Sequence, residues 1–308
     1  MKICITGGAG FIGSNIAERF LAEGHEVVVI DNLSLGFVEN IPQGAKFYKL
    51  DINDNNLIEV FEKEKFDIVC HYAAQMSVRH SVSIPAEDAR TNIIGSLNVF
   101  ESSRKTNVKK IIFASSAGTV YGEQIEFPCT EEHPNSPISP YGVSKFSVEK
   151  YLEYYKNVFN LNYTVLRYTN VYGRKQNPFG EAGVIAIFFL KMLKNEDTYI
   201  TGDGSITRDY VYIDDVIEAN VYALNPNLSG VFNVSTGVET SLLEIFDKLA
   251  NLTNYQKPKQ FVPFKIGEQM RSVCSYAKLN KETGWYPKIQ LDEGLEETMK
   301  YYLKKVKS

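Results

Sequence analysis

The residues of this chain best suited to proton chemistry are a tyrosine and a lysine four apart, in Tyr141-Gly142-Val143-Ser144-Lys145. On a helix they share one face, a turn apart. A cation there is expected to stabilise the phenolate and bring its pKa toward neutrality, which would make Tyr141 an acid/base. Ser139-Pro140 reads as an N-cap followed by a first-turn proline, so Tyr141 should open its helix. A hydroxyl that could relay the proton lies upstream in Ala114-Ser115-Ser116-Ala117-Gly118-Thr119. Ser116 is the first choice, Ser115 the second and Thr119 the third. A Tyr and a Lys at this spacing are commonplace on exposed helices, so their weight comes from the amino end of the chain.

There, Lys2-Ile3-Cys4-Ile5-Thr6 is a short apolar run bounded by glycine and reads as a buried strand. It leads into Gly7-Gly8-Ala9-Gly10-Phe11-Ile12-Gly13, which satisfies G-x-G-x-x-G and opens a helix to about Ala22. Glycine allows the tight turn and the close approach of backbone to a pyrophosphate. The helix amino end supplies free N–H groups and a positive dipole. A second apolar strand, Glu26 to Ile30, ends in Asp31, eighteen residues after Gly13. A carboxylate there accepts hydrogen bonds from the ribose of NAD and repels a 2′-phosphate, so NAD is the expected cofactor.

Those residues need a scaffold. Strand runs at Lys46–Leu50, Asp67–His71, Lys110–Ala114 and Tyr163–Tyr168 alternate with helical runs near Asp54–Glu64, Ala86–Thr106 and Tyr141–Phe159. Alternation of this kind implies an α/β fold, a Rossmann-type doubly wound parallel sheet. Beyond about Tyr172 the pattern loosens into helices mixed with short strands. The expected division is a NAD-binding domain over 1–171 and a smaller α/β substrate domain over 172–308, some segments of which return to the first. The ligand is expected at the carboxyl ends of the strands.

Composition excludes several classes. With 308 residues, 44% hydrophobic and 23% charged, the chain has an ordinary globular balance. A net charge of −4 gives no support for nucleic-acid or polybasic membrane binding. The four cysteines (Cys4, Cys70, Cys129, Cys274) form no C-x-x-C, and the four histidines have no metal spacing, so no metal is expected. The longest apolar run, Val184 to Leu190, is far short of a membrane span. A reducing cytoplasm is the expected compartment.

Taken together, Thr6–Gly13, Asp31–Ser34, Asp51-Ile52, His71–Gln75, Ser115–Gly122, Ser139–Lys145, Leu166–Gly173 and Gly202–Asp215 resemble the extended short-chain dehydrogenase/reductase family. Within it they are most similar to the NAD-dependent nucleotide-sugar 4-epimerases, over nearly the whole chain. The resemblance implies that Gly7, Gly10, Phe11, Ile12, Asp31, Asn32, Ser34 and Gly36 hold the adenosine half of NAD, with Asp51 and Ile52 at the adenine edge. It places Tyr72, Ala73, Ala74, Gln75, Ser115, Tyr141, Lys145 and Tyr168 around the nicotinamide half, and gives Asn92 a structural role beside them. It assigns Ser116, Tyr141, Asn170, Arg208 and the segment Ala182-Gly183-Val184 to the sugar nucleotide. The late phosphate or ribose contact falls to Lys265 or Arg271, next to Glu268. The family's usual arginine stands as Lys265, which keeps the charge and loses the planar fork. A gapless count puts the position that gates the sugar's C2 substituent at Ser272.

The same resemblance sorts the chemistries. The family's 4,6-dehydratases carry Asp-Glu after the catalytic threonine, whereas Ala117-Gly118 follow Ser116 here and transfer no proton. What remains is oxidation at C4 and re-reduction from the other face. The expected activity is interconversion of UDP-glucose and UDP-galactose, with the N-acetylated pair as further substrates because Ser272 is small. UDP-uronate 4-epimerisation, a dehydratase or reductase activity, and a non-catalytic NAD-binding regulator are the alternatives. Related enzymes pair two long helices into a homodimer. The apolar surplus of Tyr151, Leu152, Tyr154, Tyr155 and Phe159 suggests the same here.

Overall fold

A computed structural model describes residues 1–179, 183–264 and 269–307. Ala182, Lys265 and Glu268, all expected at the site, lie outside the described residues. In chain order the first elements are β1 (Lys2–Thr6), α1 (Phe11–Ala22), β2 (Glu26–Asp31), β3 (Lys46–Lys49), α2 (Leu57–Glu64) and β4 (Ile68–His71). Then come α3 (Val78–Ser83), α4 (Pro85–Ala89), a π-helical turn (Arg90–Ile94), α5 (Gly95–Lys105), β5 (Lys110–Ser116), α6 (Ala117–Val120), α7 (Pro140–Phe159) and β6 (Asn162–Tyr168). The later chain supplies β7 (Asn170–Tyr172), α8 (Val184–Leu193), β8 (Tyr199–Thr201), β9 (Thr207–Arg208), β10 (Tyr210–Tyr212), α9 (Ile213–Ala223) and β11 (Gly230–Val234). It closes with β12 (Thr240–Ser241), α10 (Leu242–Thr253), β13 (Gln260–Val262), α11 (Ala277–Thr283) and α12 (Leu291–Lys307).

The chain forms two compact units. One comprises Met1–Tyr121, Asn135–Arg167 and Ile217–Phe232; the other comprises Gly122–Pro134, Tyr168–Val216 and Asn233–Ser308. The first is built on a seven-stranded sheet of order β11-β6-β5-β4-β1-β2-β3. Strands β1 to β5 pair in parallel, with Thr6 opposite both Ile30 and His71. This is the doubly wound arrangement, and its switch point lies between β1 and β4, where ligands bind such sheets. Parallel strands covered on both faces must be apolar throughout. Accordingly Ile3–Ile5, Val27–Ile30 and Ile68–Cys70 are all buried. One core cluster joins these strands to α2, α5 and α7 through Phe61, Phe100, Val148, Leu152 and Tyr155. In the second unit α8, α10 and α12 pack together, burying Phe189, Phe246, Leu295 and Tyr302.

The long helix expected from Ala86 to Thr106 is not continuous α-helix. It is α4, the π turn and α5 in succession. A π turn carries an extra residue. In that turn Asn92 faces the loop after β4: its Nδ2 donates to Gln75 O and its Oδ1 accepts from Gln75 N, each at 2.9 Å. The strand expected to end at Ala114 continues as β5 through Ser116, and the chain then turns into α6.

Candidate active site

The glycine turn sits at the switch point. Gly7 has φ +71, and a Cβ on it would meet Ala73 N at 2.5 Å. The turn therefore packs directly on the loop that follows β4. A Cβ on Gly13 would meet Gly7 O at 2.5 Å, so α1 begins hard against the turn. The N-cap of α1 is Gly10, which has no side chain to cap the first N–H groups. At the end of β2, Asp31 is nearly buried. Its oxygens accept Ala9 N at 3.0 Å and Leu33 N at 2.7 Å, tying β2 to the turn. Asn32 Oδ1 accepts from Ser34 N, and Asn32 Nδ2 donates to Asp51 at 2.7 Å. Burial works against the Asp51 charge, but hydrogen bonds from Asn53 and Asn32 outweigh it and hold the carboxyl below its usual range. Gly36 packs on Ala9. Ile52 is buried, and its carbonyl accepts from Asn98 Nδ2.

Tyr141 is the second residue of α7. Ser139 caps that helix by accepting from Gly142 N, and Pro140 takes the first position, where a missing N–H costs nothing. Tyr141 N donates to the buried Ser81 Oγ at 3.2 Å. Lys145 is buried one turn on. Its Nζ donates to Ala114 O at 2.9 Å and lies 5.7 Å from the centre of the Tyr141 ring. Burial pushes the ammonium down to about 8, against the charges of Asp88 and Glu149. Burial and the Asp88 charge push the Tyr141 phenol up. Lys145 was expected to bring Tyr141 toward neutrality; burial and the Asp88 charge act against that shift, and the ammonium gives one of its hydrogens to a backbone carbonyl.

The two serines of β5 point to different surroundings. Ser115 is buried and donates to Glu149 Oε1 at 2.5 Å. Glu149 is in turn held by Arg167 in a buried bidentate pair, at 3.0 and 2.5 Å. Ser116 is only partly buried and leaves α6 without a side-chain cap. Thr119 Oγ1 is buried with no hydrogen-bond partner, and its carbonyl lies 2.5 Å from where a Gly142 Cβ would stand. The Ser116–Thr119 stretch is thus packed against the start of α7. Ala73 and Ala74 are partly exposed. Tyr72 donates to Asn220 at 2.5 Å.

In the second unit, Asn170 pairs with Tyr210 between β7 and β10, and its N donates to Asp209 O at 2.9 Å. Arg208 donates to Thr207 O. Arg271 forms a bidentate pair with Glu239, at 3.0 and 2.7 Å, and its guanidinium stacks 3.7 Å from the Phe127 ring. Ser272 is fully buried; its carbonyl accepts from Asp209 N and its Oγ has no partner. Gly183 caps α8 without a side chain, followed by Val184. Tyr168 is buried at the end of β6.

Residues 3–235 match the NAD dependent epimerase/dehydratase family. The chain belongs to that family. Among its relatives is the putative UDP-glucose 4-epimerase of Methanocaldococcus jannaschii, 42% identical over 97% of each chain. The UDP-glucose 4-epimerase of Thermotoga maritima, solved with UDP-glucose, is 46% identical, with a TM-score of 0.97 over 99% of this chain and 100% of that one. The Thermus thermophilus UDP-glucose 4-epimerase, solved with NAD, is 41% identical, with a TM-score of 0.94 over 98% and 99%.

The family's cofactor, NAD, fits what the chain presents. The glycine cradle has no room for a Cβ at Gly7 or Gly13, the helix end behind it is uncapped, and an acidic residue closes β2. Sequence reasoning missed several members of this epimerase/dehydratase site. Asp88, Ser81, Ser144 and the Glu149–Arg167 pair all support the Tyr141–Lys145 helix. Asp209, buried and bonded by Thr236, Gly237 and Cys274, organises the strands around Arg208. No local signal marks them: Glu87-Asp88-Ala89-Arg90 reads as an ordinary solvated helix face, and Arg208 and Lys150 flank the other two carboxylates.

Proposed function

We propose that this enzyme is a UDP-hexose 4-epimerase that interconverts UDP-glucose and UDP-galactose. The observation that carries this reading is the Tyr141–Lys145 pair at the start of α7, packed on a Ser116–Thr119 segment that holds no second acid. Buried Ala117 and half-buried Gly118 stand where an eliminating enzyme needs a proton donor. NAD, when bound, would supply a hydride acceptor and a positive charge that offsets the cost of a phenolate in this site. Tyr141 takes the proton of the 4-hydroxyl and gives it back after the keto sugar has presented its other face. Ser116 relays that proton, and Lys145 holds its charge near the phenol. Asp31, Asn32 and the glycine turn hold the adenosine half, while Asn170, Arg208 and Arg271 hold the sugar nucleotide. The two half-reactions leave no net oxidation, so no exchange of cofactor would be needed in a turnover.

We also infer acceptance of the N-acetylated sugars, from the small residue that the gapless count puts at the C2 gate, Ser272, a side chain that has no exposed surface in the structure. The free and buried state of all four cysteines suits a reducing cytoplasm. We also assign a homodimer through α7, where Tyr151, Tyr154, Val158 and Phe159 are exposed. Among the described residues no helix is long and apolar enough to cross a membrane. Incubation with UDP-glucose, UDP-N-acetylglucosamine and UDP-glucuronate, with products read by NMR and NADH by absorbance, tests the reading. The 4-epimers of the first two should form without net NADH release. Net NADH, or a 4-keto-6-deoxy product, would overturn it.

A further inference from the structure

One buried carboxylate beside the reacting pair takes no part in the mechanism above. Asp88 is fully buried. Its Oδ1 accepts from Gln75 Nε2 and Asn92 Nδ2, each at 2.9 Å, and its Oδ2 accepts from Ser144 Oγ at 2.6 Å. All three donors are neutral. Each belongs to a different part of the site: the loop after β4, the π turn and α7. Ser144 lies between Tyr141 and Lys145 in sequence, and the Gln75 backbone is clamped by Asn92 as well. Among the described residues Asp88 forms no salt bridge, and an anion kept out of water acts strongly on the charges near it.

The other charged groups around α7 are paired, neutral or facing water. Glu149 is paired with Arg167, and its charge acts on Lys145 in the same direction as that of Asp88. His71 is bonded to Thr6 and Ser96 and stays uncharged. On α3 and α4, His80 faces the exposed Glu87 at 3.2 Å, and Arg79 is exposed. Arg90 in the π turn is exposed, and Glu101 on α5 pairs with Arg104. The Lys110 ammonium on β5 is tied to the Asn225 and Leu228 carbonyls, and Lys150 on α7 is exposed.

We propose that Asp88 is a positioning residue of this site: its carboxylate latches the Tyr141–Lys145 helix to the loop after β4, and its negative charge keeps protons on the Tyr141–Lys145 pair. This rests on the reading of Tyr141 as the acid/base. The sign does not depend on which of the two groups loses a proton first. Each loss makes the pair more negative, and a nearby anion opposes it. The apparent pKa values belong to the pair, and removing Asp88's charge lowers both. The electrostatics agree, since Asp88 raises Tyr141 and Lys145 alike.

The test is the pH dependence of kcat for the NAD-bound wild type, Asp88→Asn, Asp88→Glu, Ser144→Ala and Tyr141→Phe. The whole bell should move to lower pH by about one unit in Asp88→Asn. Asp88→Glu should return it toward the wild-type position. Ser144→Ala, which keeps the charge and loses the latch, should turn over more slowly with the bell in place. If Asp88→Asn does not fold, Asp88→Ser removes the same charge and is read the same way. A charge-removed variant whose bell stays in place overturns the role of the charge, as does a shift of equal size in Ser144→Ala. Near-normal turnover by Tyr141→Phe would instead remove the reading of the site itself.

Discussion

At the residue scale, His71 shows how firmly the fold holds its polar interior. Its Nδ1 lies 2.7 Å from Thr6 Oγ1 and its Nε2 2.8 Å from Ser96 Oγ, so both ring nitrogens are bonded across β1, β4 and α5. Burial, with the charge of Lys145, pushes its pKa from 6.5 to about 3. The unfolded chain therefore binds a proton at a pH where the folded one does not. The stability this group contributes is complete above pH 6.5 and is lost as pH falls toward about 3. The Tm should drop through that window, and His71→Asn should lower the Tm at pH 7 but flatten the slope. An unchanged slope in that variant would assign the acid sensitivity elsewhere. Asp31 yields a second prediction. A like charge near the ribose costs about 1–2 kcal/mol, so NAD should bind roughly tenfold tighter than NADP; equal affinities in a titration of the apo-protein would contradict this. Asp31 and the glycine turn were legible because strand, turn and helix are local and each residue type has one purpose there. Asp88 and Ser144 were not, because what makes them matter is a meeting of residues 56 apart in the chain.

At the scale of elements, the amino end of α7 governs the geometry of the pair. Ser139 caps it, Ser81 accepts from Tyr141 N, and Gly142 lies where a Cβ would strike the Thr119 carbonyl. Ser139→Ala should cost about 1 kcal/mol of stability. Gly142→Ala should cost more and also disturb the Ser116 segment, because the obstructing atom is backbone. Urea unfolding measures the first effect, and turnover the second. If Gly142→Ala kept full stability and full activity, the close packing of α6 on α7 would be wrong. Sequence foretold this helix start well, from its Ser-Pro signature. It did not foretell the π turn at Arg90–Ile94, because the run from Ala86 to Thr106 has no proline to break it. Nor did it place β11 at the edge of the main sheet. That strand comes from residues 230–234, long after the alternating pattern has faded.

At the scale of the whole molecule, the chain passes repeatedly between its two units. Returns of this kind were expected, but local pattern does not say which segments make them, since Gly122–Pro134 looks like any polar loop until its partners, Cys274 among them, are known. One face of α7 is exposed where Phe146, Ser147, Lys150, Tyr151 and Tyr154 line a shallow groove of about 500 Å³. If that face joins two copies, Tyr151→Glu with Tyr154→Glu should yield a folded monomer by sedimentation, while the wild type sediments as a dimer at micromolar concentration. A monomeric wild type would contradict the assignment. In the proposed reaction, hydride leaves C4 of a UDP-sugar and returns to the same carbon. Its most direct test is turnover of UDP-glucose carrying deuterium at C4, with the product read by NMR. The UDP-galactose formed should retain deuterium at C4, and Tyr141→Phe should form no such product. Deuterium lost to solvent, or found at C6 of a dehydrated sugar, would contradict it.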